Sequence, residues 1–173
     1  MSGVLRSLRN GTDFWTSWVP AGPFSAWLRH LADATGFAPE AIAVAAGVST
    51  GVGRALVGTG RRSHRIRSLD ARGLLSLDIE NLQWQGSCLT DASLAHKAMT
   101  ELGAWCPTVA ELSGLLGISQ HTARGIIDGH LLVCRREVLW HCIALAQQIM
   151  HTKGLPDPPD DLLAGYFDEP LAA

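Results

Sequence analysis

Residues 39–58, PEAIAVAAGVSTGVGRALVG, constrain this chain most, because their spacing leaves little choice but two helices around a tight turn. Ile42, Ala43 and Ala46 share one helical face, Gly47 follows, and Leu56 and Val57 close a second short helix. Each position has a steric reason. Ala43 is small where the two helices cross, and Gly47 can take the left-handed conformation that ends a helix without penalty. Val48 plugs the apolar gap, and Ser49 can accept from the free backbone N–H groups that open the next helix.

The pattern returns seventy residues later, in TVAELSGLLGISQHTARGIIDG, which starts at Thr108. That offset superimposes Gly47 on Gly117, Val48 on Ile118, Ser49 on Ser119, Arg54 on Arg124, Leu56 on Ile126 and Val57 on Ile127. The chain therefore carries the helix-turn-helix spacing twice. With 173 residues, 47% of them hydrophobic, the chain has enough apolar surface for one ordinary domain or two small ones, and the repeated motif favours two small helical modules.

Around each motif the punctuation predicts the neighbouring elements. Ser25 reads as the cap of a support helix bearing Trp27, Leu28, Leu31 and Ala32 and stopping at Gly36, and Ser68 as the cap of a last helix with Leu69, Leu74 and Leu75. In the second half, Thr90 or Asp91 opens a helix that ends at Gly103, and Thr108 with Glu111 forms a T-x-x-E capping box. Two apolar runs, 131–134 and 138–142, flank a polar Arg135-Arg136-Glu137 tip and predict a β-hairpin wing. The helix after it, with Ile143, Ala146, Ile149 and Met150 on one side, would cover the module or face a second subunit. The expected fold is mainly α, two small helix-turn-helix modules, the second with that wing. Its expected divisions are residues 1–76 with a basic arm, a connector at 77–89, a second module at 90–152, and an acidic, proline-rich tail at 153–173.

Charge is divided along the chain, although the total is only -2. Up to residue 75 nine arginines face four acids, and the rest of the chain carries a compensating acidic excess. Arg61, Arg62, Arg65 and Arg67 directly follow the first motif, where contacts to a phosphate backbone would fall. The outward positions of each second helix would enter a DNA major groove, with Arg54 and Arg124 on that face and His121 able to make binding pH-dependent. Cys88, Cys106, Cys134 and Cys142 have no CxxC pair and no short Cys/His ligand spacing, so free thiols are expected and no metal or cofactor. The seven histidines are scattered without a nucleophile elbow, a phosphate-binding loop or a carboxylate cluster, which argues against an enzyme.

At these residues the chain resembles the phage-type and actinobacterial helix-turn-helix transcriptional regulators. AAGVSTGVGRALVG followed by GRRSHRIRSLDARGLLSL is similar to their repressor-like modules, and TVAELSGLLGISQHTARGIIDGHLLVCRREVLW to excisionase-like and winged variants. The resemblance implies base reading by Ser49, Thr50, Gly51 and Arg54 in the first module and by Ser119, Gln120, His121 and Arg124 in the second. It also implies backbone contacts from Arg135 and Arg136 on the wing. The expected function is sequence-specific binding of double-stranded DNA by a repressor, with the first module supplying most of the affinity. The competing reading is an excisionase-like, architectural or adaptor protein in which only the first motif binds DNA. Further partners would be a second copy or another protein, held by the second module or by residues 160–167, where Leu162, Leu163, Tyr166 and Phe167 share a helical face. With no apolar leader or membrane span legible, a cytoplasmic, nucleoid-associated protein is expected.

Overall fold

Each glycine-punctuated hairpin sits at the centre of a six-element unit, strand, three helices, strand, helix. The structure is a computed structural model that describes residues 17–58, 64–106 and 108–154. The first unit runs β1 (Trp18–Pro20), α1 (Gly22–Thr35), α2 (Pro39–Ala45), α3 (Thr50–Val57), β2 (Arg65–Arg67) and α4 (Ser68–Leu75). A linking helix α5 (Ile79–Ser87) follows. The second unit repeats the order as β3 (Leu89–Asp91), α6 (Ser93–Gly103), α7 (Val109–Leu116), α8 (Gln120–Ile127), β4 (Val133–Arg135) and α9 (Arg136–Thr152). Among the described residues no helix is long and apolar enough to cross a membrane.

The strands clamp each three-helix cluster at its ends. β1 pairs antiparallel with β2, Val19 opposite Ile66, and β3 with β4, Thr90 opposite Cys134. Side chains alternate along a strand, so the central residues Ile66 and Cys134 are buried while their neighbours face outward. These pairings displace the expected wing. The second module does hold an antiparallel ladder, but Val133–Arg135 pairs with Leu89–Asp91, and residues 138–142 lie inside α9. The run VLWHCIALA is apolar apart from His141 because α9 is enclosed on most sides, which a strand pattern mimics. The Arg135-Arg136-Glu137 tip also lacks the Gly or Asn that tight hairpin turns require.

Three expected helix starts move as well: Thr90 and Asp91 lie in β3, and α6 begins at Ser93. α1 starts at Gly22 with Pro23 in its first turn, where a missing N–H costs nothing, so Ser25 is internal to the helix. Ser68 is the first residue of α4, and its amide and hydroxyl both donate to Ser17 O at 2.9 Å. Thr108 does cap α7, its Oγ accepting from Glu111 N at 3.2 Å. The connector is mostly helical: α5 opens on Asp78, whose carboxylate accepts from Asn81 N at 2.7 Å, and it buries Leu82.

The core centres on α9, which packs against α2, α3, α5, α6 and α7 and so touches both units. Trp140 is fully buried and meets the Phe37 ring edge-on, centroids 6.2 Å apart. α5 approaches this pair through Gly86, where an added Cβ would lie 3.0 Å from Phe37 Cζ. Truncating Trp140 should therefore destabilise the whole chain by about 3–5 kcal/mol. Urea unfolding of Trp140→Ala checks this, with one transition expected for both units. Cys134 and Cys142 lie in the same core, where burial pushes both thiols up. Mass spectrometry after brief alkylation should find label on the partly exposed Cys88 and Cys106, and on Cys134 and Cys142 only in denaturant.

Candidate nucleic-acid interface

Both helix-turn-helix hairpins form with the expected turn chemistry. Gly47 and Gly117 take φ of 70° and 67°, the left-handed region where other residues are strained. Val48 is buried beneath its turn, and its amide donates to Ala43 O at 2.8 Å; Ile118 N donates likewise to Ser113 O at 3.1 Å. Ser49 Oγ accepts from Val52 N at 3.4 Å and Ser119 Oγ from Thr122 N at 3.0 Å, so the second cap is the tighter.

The second helix of each hairpin is tied down at its C-terminal end by the support helix. Ser25 Oγ donates to Leu56 O in the first unit, and His96 Nδ1 donates to Ile126 O at 2.8 Å in the second. The two tethers occupy equivalent positions of the repeat. Arg29 adds a 3.1 Å bond to Val57 O, a cation at the negative end of the α3 dipole. Gly53 sits at the helix crossing: a Cβ there would lie 2.9 Å from Ala43 Cβ. No larger residue fits without separating the helices.

The two candidate reading faces differ in exposure. On α8, Ser119, Gln120, His121 and Arg124 are all exposed. On α3, Ser49 and Gly51 are exposed and Arg54 half-buried, but Thr50 is only 3% exposed. α9 covers it there. The buried Gln147 side chain accepts from Thr50 N at 3.4 Å, at the helix end that would have to approach base edges.

The arginines are also distributed unequally. Arg65 and Arg67 are exposed on β2 around Trp18: Arg65 Nη2 donates to Trp18 O at 3.1 Å, and the Arg67 guanidinium lies 6.0 Å from the Trp18 ring centroid. Arg61 and Arg62 lie outside the described residues, as do residues 160–167. Arg135 and Arg136 form no wing tip. Arg135 ends β4, 3.5 Å from Glu137 Oε1 with its side chain 64% exposed, and Arg136 is the half-buried first residue of α9. Asp128, the C-cap of α8, is exposed close to Arg124, whose carbonyl accepts from its amide.

Sequence reasoning missed Gln147 and the paired tethers. Gln147 was within reach, since residues 143, 146, 147 and 150 share a helical face and an amide on an apolar face needs a partner. The tethers had no such signal, because Ser25 and His96 differ chemically and become equivalent only once the repeat is aligned in space. No family model, no curated protein and no solved structure matches this chain.

Proposed function

We propose that this chain is a sequence-specific double-stranded-DNA-binding protein of the transcriptional-repressor class, acting in the cytoplasm on the nucleoid, and that α8 is its reading helix. One observation carries this: Ser119, Gln120, His121 and Arg124 stand exposed on a helix that is capped at its start and tethered at its end. Glutamine suits adenine and arginine suits guanine, each by a pair of hydrogen bonds in the major groove. Arg65 and Arg67 are assigned to phosphate, which their planar donor forks fit.

This reading reverses the weighting expected from sequence. α3 would have to shed Gln147 before Thr50 could meet a base, so the first unit acts mainly as scaffold and backbone contact. The same contact counts against the excisionase-like or adaptor alternative in which only the first motif binds DNA. With one open reading helix per chain, a long site calls for two chains in two-fold symmetry. A homodimer is therefore the partner that fits best.

Binding-site selection from a random duplex library, followed by titrations at several salt concentrations, tests the assignment. Gln120→Ala and Arg124→Ala should each cost about 1–3 kcal/mol of discrimination at one base position. Arg65→Ala and Arg67→Ala should weaken all duplexes alike and reduce the salt slope by about 1 each. Arg54→Ala should leave the selected sequence unchanged. A sequence preference that moves with Arg54 and ignores Gln120 and Arg124 overturns the choice of α8; no duplex binding at low salt overturns the function.

A further inference from the structure

The outer face of the β3–β4 ladder is apolar where an exposed strand face is ordinarily polar. Leu89 is 68% exposed, Val133 52%, and the adjoining Leu132 79%. Side chains two apart on a strand share a face, so the outward residues are Leu89 and Asp91 on β3 and Val133 and Arg135 on β4. The register sets Leu89 beside Arg135 and Asp91 beside Val133. These four residues are the corners of a rectangle. One diagonal, Leu89 to Val133, is apolar; the other, Asp91 to Arg135, joins opposite charges.

That arrangement is self-complementary in one way. A two-fold axis along the apolar diagonal lays a second copy face to face, returns Leu89 to Leu89 and Val133 to Val133, and exchanges the charged corners. Arg135 of each copy then meets Asp91 of the other. The other in-plane axes fail: the second diagonal opposes like charges, and axes along or across the strands set each charge on an aliphatic side chain. The β1–β2 ladder has no such symmetry, because its outward corners are Trp18, Pro20, Arg65 and Arg67.

We propose that a second copy of this chain docks on the outer face of β3–β4 about the Leu89–Val133 diagonal. Both charges are in place for it. Asp91 is fixed by Ser93, whose amide donates to its carboxylate at 2.6 Å, and a carboxylate retains further lone pairs for an incoming guanidinium. Arg135 is largely solvent-exposed, and among the described residues its side chain has one long contact, to Glu137. The patch covers less than the roughly 800 Å² a side of a stable complex, so the dimer should exchange freely at micromolar concentration and tighten on a DNA with two half-sites. This names the surface for the homodimer reading above, and its test needs no DNA.

Sedimentation equilibrium of the full chain over about 1–500 µM should show a monomer–dimer equilibrium. Leu89→Lys, which opposes two lysines at the axis, should abolish it while leaving the Asp91–Ser93 hydrogen bond in place. Asp91→Lys and Arg135→Glu should each raise the dimer Kd at least about tenfold. Mixing those two variants should restore association, because each altered corner then faces the opposite charge on its partner. Thermal melts confirm that every variant is folded. A chain that stays monomeric throughout, a dimer indifferent to Leu89→Lys, or folded charge variants that fail to associate when mixed overturns the proposal, and leaves the assignment of α8 to be judged by its own variants.

Discussion

The burial of α9 is the contact on which the other elements depend. A helix with Val138, Leu139, Trp140, Cys142, Ile143, Ala144 and Ala146 all withdrawn from solvent needs walls on most of its circumference. Neither unit supplies them alone. α6 and α7 come from the second unit, α2 and α3 from the first, and α5 closes the gap through Gly86. Two hairpins that the sequence presents as separable modules therefore share one hydrophobic core. That sharing also breaks their equivalence, because α9 lies against the first turn of α3.

The helix signals around the two turns were legible because their cause was local. Gly47 and Gly117, with Ser49 and Ser119 two residues on, state the turn and the cap within four residues, and the structure forms both. The mainly α fold follows from such signals. The two ladders were not legible for the opposite reason. Each strand is three residues long, and β1 meets β2 across 44 intervening residues and β3 meets β4 across 41. Three residues carry almost no alternation, and the pairing depends on where the three enclosed helices deliver the chain. The wing failed on the same ground: with no sight of the walls around α9, an apolar run broken by charge looks like two strands.

The candidate site was half legible. Offset alignment found the outward positions of α8 but also placed Thr50 of α3 outward, where it is buried, and chemistry alone ranked the first hairpin higher because arginines follow it in the sequence. Exposure ranks them the other way. Thr50 and Gln120 are each the first residue of their helix, directly after a capping serine, yet one lies beneath Gln147 and the other in solvent. Only a contact from residue 147 to residue 50 distinguishes them, and no local reading reaches that far.

Comparing how the two helices are held leads to the same division of roles. Both are fastened at the C-terminal end by the same position of the support helix, through Ser25 and through His96. α3 is fastened again at its start by Gln147, and at its waist by the Gly53–Ala43 approach that admits no larger side chain. The positions that match this waist, Ala123 of α8 and Ser113 of α7, are both buried. A helix pinned at start, waist and end is fitted to transmit packing. A helix pinned at waist and end, with Gln120 and His121 free in its first turn, is fitted to present that turn to something else. Those constraints set α8 apart from α3, although the richer cluster of arginines follows α3 in the sequence.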